Sequence, residues 1–152
     1  MRCYVLCLLS VLLLSFAVTP KKVSFSDLGI KKFKDVWLEE YKAYFSAPKF
    51  SKSQKDLDGV LIEIEGVLSP IEYNDTIVSH MVLSGKNIDW HSNSPRQDEL
   101  VDLPDFSLTI GEYKELAGQR VKFIGVLKLN FENDVFTQSY RLDNSNIQSQ
   151  KP

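Results

Sequence analysis

The chain has few of the residues on which small exported domains and hydrolases usually depend. Its only two cysteines, Cys3 and Cys7, fall in the N-terminal apolar run. From residue 18 onward disulfides, thiolate metal sites and a cysteine nucleophile are therefore excluded. Neither cysteine stands where a lipid would be attached after that run. Histidine is equally scarce, with His80 and His91 the only two. There is no Gly-x-Ser-x-Gly elbow, no His-Glu-x-x-His and no phosphate-cradling glycine loop. Charge of one sign is lacking too, with 18 Lys and Arg against 20 Asp and Glu. A slightly acidic balance disfavours non-specific nucleic-acid binding, which runs on phosphate neutralisation, so no nucleic-acid partner is expected. The longest hydrophobic stretch, Cys3 to Phe16, is shorter than the roughly 20 residues of a membrane-spanning helix.

What is present begins with a leader. Met1-Arg2 gives a positive start, the apolar run follows, and Ser15-Phe16-Ala17 supplies small residues where a signal peptidase reads. Residues 1–17 therefore read as a secretory signal peptide cleaved after Ala17, with a periplasmic or extracellular destination. Membrane association is expected only if that segment stays uncleaved as an anchor. Residues 18–56 form an N-terminal segment that starts with a short basic linker. Within it Ile30, Phe33, Trp37, Tyr41 and Tyr44 recur at steps of three and four, with charged residues between. That spacing predicts an amphipathic helix over 30–45, ended by Pro48 and capping one open end of the fold.

One phrase occurs twice. Leu57-x-Gly59-x-x-Ile62-x-Ile64-x-Gly66-Val67-Leu68 recurs as Leu116-x-Gly118-x-x-Val121-x-Phe123-x-Gly125-Val126-Leu127. Alternation of apolar and polar residues in each copy reads as a strand, and a central glycine lets a long strand coil. Asn74-Asp75 and Asn133-Asp134 read as hairpin turns. Partner strands are expected over 76–83 and 135–142, a short linking strand over 106–110, and a turn or helical turn over 111–116. The fold class is thus mainly β: a small OB-like five-stranded barrel over 57–143, preceded by one amphipathic helix and followed by a disordered tail, 144–152. A flat α+β sheet covered by the helix is the alternative, and Gly66 and Gly125 favour the barrel.

Several segments together resemble an uncharacterised family of exported bacterial proteins with an OB-like core. They are Val23-Ser24-Phe25-Ser26-Asp27-Leu28, the run from Leu57 through Gly66 to Pro70-Ile71-Glu72, Gly125-Val126-Leu127, and Tyr140-Arg141-Leu142-Asp143. The likeness runs in the same order over most of the chain after the leader. That family's central loop carries Cys-x-His, a proline run and Asn-Gln. Here the corresponding stretch is Asp89-Trp90-His91-Ser92-Asn93-Ser94-Pro95-Arg96-Gln97, so the histidine and glutamine are kept and the cysteine is not. The resemblance implies a fold and no established activity.

The connector 84–99 is the candidate site, because a long loop in a compact domain is usually functional. Trp90, His91, Arg96 and Gln97 are the expected binding residues, with Trp90 as apolar anchor. Asp89 and His91, with His80 if the fold brings it near, are the candidate ligands for a divalent metal, since imidazole and carboxylate both suit zinc and its neighbours. Otherwise no cofactor is expected. Glu63 and Glu65 share a strand face about 7 Å apart, a glycosidase-like separation, but their neighbours Leu61 and Val67 make a solvated face the plainer reading. Two functions follow. The first is an exported non-enzymatic binding or accessory module that holds an envelope protein, an extracellular protein or a small ligand. The second is a metal-binding protein or metal-dependent enzyme working through the 84–99 loop. A structural subunit of an envelope complex is a third.

Overall fold

The computed structural model describes residues 19–88, 96, 99–131 and 138–148. Residues 1–18, 89–95, 97–98, 132–137 and 149–152 lie outside them. Among the described residues no helix is long and apolar enough to cross a membrane.

A closed barrel of five strands forms the centre. The repeated phrase supplies its two longest members, β4 (Leu61–Tyr73) and β8 (Arg120–Leu129). They pair antiparallel, and Ile64 sits opposite Phe123. These residues occupy the same position in the two copies, 59 apart in sequence. Both are fully buried. The two copies therefore meet about a local pseudo-twofold through that pair. Gly59 and Gly118, also equivalent, share a φ of 75° just before their strands, a conformation glycine adopts without a Cβ penalty.

The remaining barrel strands are β5 (Ile77–Ser84), β6 (Leu100–Leu103) and β9 (Tyr140–Ile147). Closure runs β4–β5–β6–β9–β8 and back to β4, with β6 and β9 parallel. A two-residue strand β7 (Leu108–Thr109) adds to β5, and α3 (Ile110–Leu116) follows it. Phe123, Tyr140, Leu142, Met81, Leu83 and Leu103 fill the interior at no measurable exposure.

Four expectations are corrected. The 30–45 helix is instead a β-hairpin of β2 (Phe33–Leu38) and β3 (Ala43–Pro48). The aromatic spacing that suits a helix also suits strands once the chain turns at 39–42, which puts Trp37 directly across from Tyr44. Their rings meet edge to face at 5.1 Å. Val36, Leu38 and Phe45, which the helical stripe ignores, populate the opposite face, and such β-branched and aromatic density favours strands. The basic linker includes a strand, β1 (Lys21–Val23), parallel to β4. The third barrel strand is β6 rather than 106–110, because Leu100, Val101 and Leu103 form an apolar run that the barrel buries. Finally, 144–147 is not tail. It continues β9 across a bulge at which Asn144 takes a φ of 51°. That bulge explains Gly125, since a Cβ there would lie 2.6 Å from Leu142 Cγ and 2.9 Å from the Asp143 carbonyl oxygen.

Candidate cleft at the root of the 84–99 connector

Ser24 begins the site. It caps the short α1 (Phe25–Leu28), and Asp27 answers with its carboxylate, which accepts from the Ser24 amide at 2.8 Å and from its hydroxyl at 2.6 Å. The Ser-x-x-Asp spacing makes this a capping box. The Ser24 hydroxyl and amide hold the Asp27 carboxyl below the usual aspartate range. The turn is pinned at its far end, where the Leu28 carbonyl accepts from the buried Tyr140 hydroxyl and from Gln54 Nε2 at 2.9 Å. Gln54 belongs to α2 (Lys52–Lys55).

Phe25 then lies over the barrel. Positions 66 and 85 have no side chain beneath it. A Cβ on Gly66 would come within 2.9 Å of its ring, and one on Gly85 within 3.1 Å. Beyond β5 the chain leaves along Gly85 and Lys86. The Ser84 hydroxyl donates to the Lys86 carbonyl at 2.6 Å, and Arg120 Nη1 donates to the Gly85 carbonyl at 3.0 Å.

Between the α1 turn and this departing strand is a cleft of about 490 Å³. Phe25, Ile30, Ile88 and Leu100 supply its apolar lining, and Lys31, Lys86, Arg96 and Glu99 supply its charged groups. Arg96 crosses the gap from the connector. Its Nη2 donates to the Ile30 carbonyl at 3.5 Å, and its guanidinium stands 5.1 Å from the Phe33 ring centroid, within cation–π range. Glu99 accepts from the Arg96 amide at 3.4 Å. An apolar floor under a few convergent polar groups is the usual build of a small-ligand site.

Arg96 is thus the expected binding residue that the structure places, and it lines the cleft. Trp90, His91, Gln97 and Asp89 lie outside the described residues. His80 is placed elsewhere. It is half-buried on β5, its Nε2 is 2.5 Å from Asp102 Oδ1, and it does not line the cleft. Beside that pair Arg141 holds Asp143 at 2.6 Å, and its guanidinium is driven above its ordinary pKa chiefly by that carboxylate. No group of three His, Cys, Asp or Glu side chains that could hold a metal occurs among the described residues. Glu65 pairs with Arg120 at 2.8 Å and Glu63 with Lys122 at 3.9 Å, so both carboxylates are spent on cross-strand ion pairs. Asn74 accepts from the Thr76 amide and hydroxyl, each at 2.9 Å, as the hairpin-turn reading requires.

Phe25, Ile30, Lys31 and Lys86 were not expected in a site. Local sequence gives no signal for them, because residues 25–31 meet Lys86 only when the α1 turn docks on the barrel.

Among solved structures, the chain is similar to a DUF3299 family protein from Pseudomonas aeruginosa PAO1. The TM-score is 0.53 at 14% identity, over 88% of this chain and 99% of that one. The likeness is one of fold, to a member of a family of unknown function. No family model and no curated protein matches the chain.

Proposed function

We propose that this chain is a non-enzymatic binding module that acts after export and takes a small ligand, or a short segment of a partner, with an apolar body and an anionic group. One observation carries the reading: an apolar-floored cleft rimmed by Lys31, Lys86 and Arg96 at the root of the longest connector. The apolar body would cover Ile88 and Leu100, and the anion would meet the cations. In this reading Trp90 and His91 extend the same site from the connector.

The test uses anilinonaphthalene sulfonate, an apolar ring system bearing one sulfonate. Fluorescence titration of the folded wild type should give one saturable site. Arg96→Glu and Lys86→Glu should each weaken it about tenfold, the loss of one favourable charge contact, with the far-ultraviolet circular dichroism unchanged. Failure of the wild type to bind, or equal binding by both variants, would refute the cleft as the site.

A further inference from the structure

The segment 26–31 is a ridge with a cleft on each side. Across it from Arg96 lies a larger groove of about 690 Å³ between residues 21–32 and 49–57. Five lysines line it: Lys21, Lys22, Lys31, Lys32 and Lys49. All five are exposed. The one carboxylate in the lining, Asp27, is committed to the Ser24 amide and hydroxyl. Lys21 lies close enough to help hold that carboxylate ionised. None of the five lysines forms an ion pair with a described residue. The charge is also segregated along the chain. Residues 19–56 hold nine lysines against five carboxylates, in a protein whose overall net charge is −2.

Folding gains nothing from gathering five ammonium groups around one concavity, because like charges at short range repel. A bound polyanion removes that cost. The chemistry of the lining selects the kind of anion. Ammonium groups are compact point charges with three donors each, and they bind phosphate without the planar fork by which arginine grips a carboxylate. No arginine lines the groove, and the hydroxyls of Ser26, Ser51 and Ser53 lie beside the lysines. Val23, Phe50 and Leu57 lie at its base, and all three are buried. Charge separates the groove from the Arg96 cleft: five lysines with one committed carboxylate here, and Lys31, Lys86 and Arg96 with Glu99 there.

We propose that this groove is an anion site for a multiply charged phosphate group, whether free or carried by a lipid headgroup. Lys22, Lys32 and Lys49 line this groove and not the Arg96 cleft, so their substitution isolates it. The experiment titrates the whole chain, purified without its leader, with inorganic tripolyphosphate by calorimetry. In parallel it measures co-sedimentation with vesicles of phosphatidic acid, whose phosphomonoester can carry more than one negative charge, in phosphatidylcholine and of phosphatidylcholine alone. Wild type should bind tripolyphosphate, the anionic vesicles or both, and binding should weaken severalfold between low and physiological salt. Binding of tripolyphosphate points to a free ligand, and binding of the anionic vesicles alone to a headgroup. Lys22→Glu/Lys32→Glu/Lys49→Glu should lower affinity roughly a hundredfold, at about one favourable charge contact each. The corresponding glutamine triple, which keeps the groove's shape, should lower it less. Lys86→Glu should leave it unchanged. Binding to neither anion, equal binding by the glutamate triple, or equal binding to phosphatidylcholine alone would overturn the proposal.

Discussion

A methyl group at Gly66 would lie 2.5 Å from the Ser84 carbonyl oxygen and 2.8 Å from Leu83 Cγ, besides touching Phe25. Backbone cannot yield there without opening the β4–β5 ladder. Gly66→Ala should therefore cost about 3 kcal/mol, at the upper end for overpacking, and should displace Phe25 from the cleft floor. Gly118 makes the contrast. Nothing lies within 4 Å of a Cβ there, but its φ is +75°. Gly118→Ala should cost only the left-handed penalty of about 1 kcal/mol. Urea unfolding of both variants checks the order, and a larger loss at Gly118 would contradict it. Gly66 and Gly125 stood out in the sequence as strand hinges, but neither has a positive φ. What each supplies is room for a neighbour, and a neighbour is a tertiary fact. The paired glycines at 59 and 118 are the ones that need conformational freedom.

At the scale of elements, the β2–β3 hairpin is held chiefly by its own ladder and by the Lys49 amide, which donates to the Lys32 carbonyl at 2.9 Å at its base. Phe33, Trp37, Tyr41 and Tyr44 remain at least 42% exposed. With so little buried apolar area to resist local opening, its amides should exchange with solvent faster than those of β4 and β8. Hydrogen-exchange mass spectrometry reads the difference directly, and equal protection would contradict it. The α1 cap gives a pH prediction. Asp27 has a lowered folded pKa, so its contribution is fully present above the unfolded value near 4 and fades as pH falls through the lower folded one. Asp27→Asn should remove that part of the acid sensitivity, so the stability gap between wild type and variant should narrow as pH falls below about 4. Thermal midpoints across that range test it. A gap that widened would reverse the assignment. The hairpin was not legible in the sequence, because aromatic residues three and four apart satisfy a helix, and two strands folded at a turn satisfy them as well.

For the molecule as a whole, everything depends on the two repeat strands sharing one interior. Phe123→Ala removes a fully buried ring at the pseudo-twofold and should cost about 4 kcal/mol. Calorimetric unfolding gives the number, and a loss below about 1 kcal/mol would mean that the ring is not at the core. Docking of the N-terminal segment on the barrel brings residues 25–31 against 84–88, Arg96, Glu99 and Leu100, which creates the cleft, and brings 21–32 against 49–57, which creates the lysine groove. Arg96 was the part of the cleft that the connector's length and composition pointed to, and it reaches back 66 residues to Ile30.

Alternation, turn residues and an echoed phrase pointed by themselves to a mainly β barrel with its long strands in the two copies of the phrase, since strand period and turn chemistry are written in neighbouring residues, and only the structure carries the first of them past Ser69-Pro70 to Tyr73. Which lysines gather, which glycines make room and where Arg96 lands were settled only in three dimensions. Those outcomes follow from pairings between residues tens of positions apart, whose contact depends on closure and register rather than on anything encoded within one segment.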